Sequence, residues 1–217
     1  VWQLREGLMG DSSFPFLQFT TTRDLGDMRE TGAQATFFEL MCVRGWVRAQ
    51  QVHGARVAVI NNKLVGKELP ETDALVTNEP GIALCIFTAD CMPIFFADNK
   101  KKVVALAHAG WRGLAGNIAV ATVETMTKQF GCVVGDIAVS VGPHIHSCCY
   151  EIGDEVREVF GVNGKNLDMA GILKNQLYEC GVYNMSFCGE CTKHNNDRYF
   201  SYRRDKTAER LMSVVCI

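Results

Sequence analysis

Between residues 82 and 107 the chain alternates short apolar runs with turn residues, and this pattern restricts its fold more than any other feature. Residues 82–88, 93–97 and 102–107 are each of strand length and almost continuously apolar. Such runs suit strands covered on both faces. The turn Asp98-Asn99-Lys100 should make the last two a hairpin. The longest apolar stretch, 82–96, is broken by Asp90 and Pro93. It is too short to span a bilayer, so no membrane partner is expected.

Further strands are expected at 46–51, 55–60, 74–77, 136–141, 182–187, 199–202 and 212–216, with 61–72 a polar loop. Apolar residues at Leu114, Ile118, Val120, Ala121, Val123 and Met126 predict one helix over 113–130, buried on one face. Residues 154–160 and 168–179 read as further helices, the second with Asp168 as N-cap and Gly181 as stop. Hairpins come first and helices enter later, which predicts an α/β fold of the α+β type. The expected form is a layered sandwich of mixed sheets with flanking helices. No repeat or linker divides residues 1–217, so one domain is expected.

Apolar residues make up 47% of the chain, enough for a core that needs no disulfide staples. The 22 basic and 24 acidic residues nearly cancel and form no basic block, which argues against nucleic acid as a partner. Val1-Trp2-Gln3-Leu4-Arg5-Glu6 shows no basic stretch leading into an apolar run, so a cytoplasmic location is expected. In that setting ten cysteines point to buried thiols, a metal site or a catalytic thiol.

Four constellations bear on chemistry. His53 in Gln51-Val52-His53-Gly54, Cys91 after Thr88-Ala89-Asp90, and His108 in Ala107-His108-Ala109-Gly110-Trp111-Arg112-Gly113 each follow or end an expected strand. Two imidazoles and a thiolate make a zinc set with a fourth position left for water or substrate. Their spacing matches no local zinc motif, and each residue taken alone is commonly part of a core. Cys188-Gly189-Glu190-Cys191-Thr192-Lys193-His194 resembles half of a structural zinc site but lacks a fourth ligand; a strand end with a buried thiol fits it as well. His144-Ile145-His146-Ser147-Cys148-Cys149 is rich in soft ligands but lies in an expected loop, as a pocket rim or an adventitious metal site. Gly110 to Asn117 is a glycine-rich turn into a helix, where Arg112 and Gly113 are candidate anion and substrate contacts. Close strand–helix packing explains those glycines equally well. Asp73 and Asp90 are candidates to orient a ligand histidine or to move a proton.

The run Thr72-Asp73-Ala74-Leu75-Val76-Thr77, followed by Thr88-Ala89-Asp90-Cys91-Met92-Pro93-Ile94 and by the segment from Ala107 to Gly113, resembles a known family. It is the multicopper polyphenol oxidase (laccase-domain) family, better described as purine nucleoside phosphorylases, which includes the bacterial peptidoglycan editing factor. Cys149-Tyr150-Glu151, Asn175-Gln176-Leu177, Cys191-Thr192 and Phe200-Ser201-Tyr202-Arg203-Arg204-Asp205 extend the resemblance. It implies an α/β sandwich and metal ligands at His53, Cys91 and His108. It also implies phosphorolysis of adenosine, inosine or methylthioadenosine, with adenosine deamination as a further activity. A family T-G-R motif is loosened here to Thr207-Ala208-Glu209-Arg210, and His144 and His146 replace smaller residues.

The expected function is therefore zinc-dependent purine nucleoside phosphorolysis, with a purine nucleoside and phosphate as small-molecule partners, in a monomer or small homo-oligomer. Arg112 would hold phosphate, and Asp90 would move the proton. Cys91 and His108 would serve catalysis as well as the metal. Two alternatives stand beside this. Copper in the His₂Cys set would give laccase-like oxidation, although five histidines cannot also furnish a multicopper cluster. Cys91 activated by His108 would instead make a metal-free amidase acting on peptidoglycan precursors.

Overall fold

The structure, a computed structural model, describes residues 1–30, 34, 37–38 and 43–217. Among these, thirteen strands form two mixed sheets. The first sheet runs in the order β1 (Trp2–Arg5), β2 (Leu8–Asp11), β3 (Leu17–Thr21), β13 (Leu211–Cys216), β8 (Ile82–Thr88), β4 (Gly45–Ala49), β6 (Glu68–Leu69). The second runs β12 (Asn184–Phe187), β11 (Ile137–Val141), β9 (Met92–Asp98), β10 (Val103–Ala109), β7 (Ala74–Thr77), β5 (Val57–Val59). The helices are α1 (Trp111–Ala115), α2 (Ile118–Phe130), α3 (Asp154–Phe160), α4 (Met169–Glu179) and α5 (Tyr202–Asp205). The fold is mixed α/β, as expected.

The apolar runs are continuous because the second sheet is covered twice. In β10, Val103, Ala105, Ala107 and Ala109 face the helices, packing with Ile118, Val123 and Met126 of α2. The alternate residues Val104 and Leu106 face the first sheet and meet Leu84 and Ile86 of β8. The period-2 geometry of a strand thus sends one run into two cores. It also aims His108, the next even position, at the space between the sheets.

Two chain crossings set the site. The chain passes from the first sheet to the second between β4 and β5, β6 and β7, and β8 and β9, and the first and last of these carry His53 and Cys91. These two crossings lie at one end of the sandwich, because β4 and β8 are parallel neighbours. Strand β10, antiparallel to β9, finishes at that same end. Three residues far apart in sequence therefore converge.

Several expectations need correction. The helix expected over 113–130 is two helices, α1 and α2, divided at Asn117, which takes a left-handed φ of 57°. The Gln176 amide fixes this break by donating to Leu114 O and Asn117 Oδ1. Residues 199–202 are not a strand. Arg204 donates to the carbonyls of Thr192, Lys193 and Tyr199, and this folds the segment back into α5. The 61–72 loop contains the short strand β6, paired with β4. Strands β1 to β3 carried no expectation. Their first hairpin turns on Glu6-Gly7, both at positive φ (48° and 78°), without the Asn-Gly or Asp-Gly pair that marks such turns most clearly.

Candidate metal centre and its cavity

His53 lies in the first crossing, Cys91 in the last, and His108 near the end of β10. Their ligand atoms all lie within 4.8 Å of one another. The two imidazoles stand edge to face with ring centroids 4.8 Å apart. His108 is buried, Cys91 half-buried and His53 exposed, so the cluster is open on one side.

Asp73 holds this arrangement together. Buried at the start of β7, its carboxylate accepts from the backbone N–H groups of Val52, His53 and Gly54 at 3.2, 3.0 and 2.8 Å. These bonds pin the turn in which His53 sits at φ 61°, a region few residues other than glycine occupy. The same carboxylate meets His108 Nδ1 at 2.9 Å. That contact leaves Nε2 as the nitrogen free for a ligand, the usual carboxylate–histidine arrangement around metals. Burial pushes the Asp73 carboxyl up, but His108 and the Gly54 N–H outweigh it and keep it ionised below its ordinary range.

The electrostatics prepare the thiolate donor, while His108 must release a proton to ligate an ion. Burial raises the Cys91 thiol, yet the His108 and His53 imidazoles beside it more than reverse this and bring it to about 6. Burial lowers His108, while Cys91 and Asp73 hold it at about 9. The site therefore favours a thiolate, the form that ligates metals. Gly110 keeps the space open: a Cβ there would stand 3.0 Å from Cys91 Sγ and 3.1 Å from His53 Cδ2. Two imidazoles and a thiolate gathered around a gap that one methyl would crowd fit a single transition-metal ion.

The cluster forms part of the wall of a cavity of about 460 Å³. Three arginines, Arg29, Arg203 and Arg210, line it together with Phe87, Tyr150 and Tyr202. Burial and the neighbouring Arg29 both disfavour the charge on Arg210. An anion among these guanidinium groups would relieve that repulsion. Arg203 stacks over the Tyr150 ring at 4.8 Å.

The other candidate residues fall differently. Asp90 lines the cavity, but both carboxylate oxygens are engaged, one by Thr192 Oγ1 at 2.7 Å and one by the Arg203 N–H at 2.6 Å. These bonds hold its backbone at φ 98°, so Asp90 is placed to tie loops rather than to shuttle a proton. Arg112 does not line the cavity. It is exposed, lies over the Trp111 ring at 4.2 Å and pairs with Glu155 at 3.5 Å. Gly113 is buried at the crossing, where a Cβ would meet Gly54 O at 3.3 Å. That is a packing position. The cavity arginines and Tyr150 had been assigned no role. Tyr150, Tyr202, Arg203 and Arg210 stand in or beside segments quoted for the resemblance, and Arg29 stands in none.

Residues 5–217 match the family model described as multi-copper polyphenol oxidoreductase laccase. The chain belongs to this family. Curated relatives of this laccase-like chain include a purine nucleoside phosphorylase of Streptomyces coelicolor, 38% identical over 76% of this chain and 72% of its own length. Another, from an unknown prokaryotic organism, is named adenosine deaminase RL5; it is 36% identical over 73% of this chain and 69% of its own length. The crystal structure of YlmD from Geobacillus stearothermophilus superposes with a TM-score of 0.91 at 27% identity, covering 99% and 98% of the two chains. Among the described residues no helix is long and apolar enough to cross a membrane.

Proposed function

We propose that this chain is a cytoplasmic, metal-dependent purine nucleoside phosphorylase, folded as one domain, that holds zinc at His53, Cys91 and His108. The observation that carries the reading is the His₂Cys cluster in the wall of a cavity lined by three arginines. Relatives named purine nucleoside phosphorylase support it. The cavity volume is ordinary for a small-molecule site.

Zinc held by the triple would supply Lewis-acid charge next to the bound substrate. Phosphate sits against Arg29, Arg203 and Arg210, whose crowded charges an anion neutralises. Phe87 and Tyr150 offer the apolar and aromatic surface for the purine. Asp73 orients His108, and Asp90 fixes the backbone of Arg203. Arg112 takes no direct part.

Inosine with phosphate should give hypoxanthine and ribose 1-phosphate. Arg210→Ala should raise the KM for phosphate about tenfold or more, as expected for loss of a charged hydrogen bond. It should leave the KM for inosine nearly unchanged. Hypoxanthine release at an equal rate without phosphate would overturn phosphorolysis. The relative named adenosine deaminase favours a second activity at the same site. It would appear as phosphate-independent conversion of adenosine to inosine. Copper in place of zinc matches the ligand types, but among the described residues only two His/Cys groups form, and only one holds more than one histidine. A multicopper oxidase does not fit that inventory.

A further inference from the structure

A second cluster of soft ligands lies outside the cavity. Strands β11 and β12 are parallel neighbours, so the loops that follow them leave the same sheet end side by side. The loops are joined by a bridge between His144 and Cys191 and by Thr192 N–H donating to His144 O at 3.0 Å. This pairing brings the Cys148-Cys149 pair of one loop onto Cys191 and His194 of the other. Of the Cys188–Cys191–His194 half-motif, Cys188 stays out of the cluster, and the two ligands that join Cys191 and His194 come from 42 or more residues upstream.

We propose that Cys148, Cys149, Cys191 and His194 form a second metal site, a closed Cys₃His set for a zinc-class ion with a structural role. All four ligand atoms lie within 4.8 Å of one another. Zn–S and Zn–N bonds of about 2.3 and 2.0 Å in a tetrahedron put sulfur and nitrogen roughly 3.5 Å apart. His194 meets Cys149 Sγ at 3.3 Å through Nε2 and Cys148 Sγ at 3.6 Å through Nδ1, so a small rotation of the ring presents one nitrogen to an ion. Cys191 Sγ accepts the His146 N–H at 3.4 Å, the kind of contact that stabilises a thiolate. The ion replaces the three thiol protons, which pass to solvent. With four protein ligands no position is left for substrate, which separates this site from the His53 cluster.

Its place in the fold gives the role. Tyr150 follows Cys149 directly and lines the cavity, while Thr192 follows Cys191 and holds Asp90. The ion would staple together the two loops that carry these residues.

The test needs no nucleoside and does not depend on the proposed activity. Purify the full chain under reducing conditions and count zinc by mass spectrometry. Cys148 and His194 are exposed, so Cys148→Ser and His194→Gln should fold. The wild type should carry about two zinc ions per chain, and each variant about one. After cobalt exchange, the thiolate charge-transfer band of the variants should fall to roughly a quarter, as Cys91 alone remains of four thiolates. Cys91→Ser should keep about one zinc, and chelating that ion should lower its melting temperature. The proposal is overturned if the wild type holds about one zinc that Cys91→Ser alone removes. It is overturned equally if both exposed variants keep the full wild-type metal content, or if freshly prepared protein contains a disulfide among the three cysteines.

Discussion

At the residue scale, Asp73 does the most for the candidate centre. It receives three backbone N–H groups from the His53 turn and faces His108 Nδ1. Asp73→Asn keeps the shape but replaces one acceptor oxygen with a donor and removes the charge. Zinc affinity, measured by competition with a chromogenic chelator, should fall about 10- to 100-fold; unchanged affinity would remove Asp73 from the account. Cys91 makes a second case. In metal-stripped protein its thiolate persists above about pH 6, with His108 protonated up to about pH 9. Lowering the pH through 6 protonates the sulfur, so the rate of iodoacetamide labelling should fall as the pH drops, with a midpoint near 6. An ordinary thiol would titrate at about 8.5. Cys132, which burial and Asp98 push up to about 12, should label slowly throughout. His53, Cys91 and His108 were legible in sequence through residue type and resemblance. The cavity cations were not: Arg203 and Arg210 point inward only because α5 and the start of β13 fold back over the sheet end. Nothing in residues 27–30 marks Arg29 as different from any surface arginine.

At the element scale, α1 and the turn before it decide how close a helix can come to the metal cluster. The glycine-rich segment from Gly110 read equally as an anion-binding helix start and as tight packing. The geometry favours packing at Gly113, whose Cβ would lie 3.3 Å from Gly54 O. Gly113→Ala should therefore cost stability, about 1 to 3 kcal/mol by denaturant unfolding as overpacking does, while the KM for phosphate stays near the wild-type value. A large rise in that KM with unchanged stability would restore the substrate-contact reading. The central strands β8, β9 and β10 were legible because their two-sided burial writes an almost unbroken apolar run. The break between α1 and α2 was not, since apolar spacing continues across Asn117 and the decisive partner, Gln176, lies far along the chain. Strand β6 was hidden for a similar reason: two residues paired to β4 leave no period to read.

At the scale of the whole molecule, two mixed sheets exchange the chain at one end, and that exchange gathers His53, Cys91 and His108 around one gap. Pairwise spacing along the sequence carries no trace of this convergence, which arises only when the crossings are stacked. The layered α/β class was readable from the order of hairpins and helices, whereas the assignment of each strand to one sheet or the other was not. Glu79-Pro80-Gly81 shows why. It separates two apolar runs as a hairpin turn would, yet β7 and β8 lie in different sheets. The most direct measurement is the formation of ribose 1-phosphate from inosine and phosphate by protein stripped of metal and then titrated with zinc. The account expects activity to vanish on stripping, to return with zinc, and to stay absent in His108→Ala at every zinc concentration. Undiminished turnover by the stripped wild-type protein would contradict it.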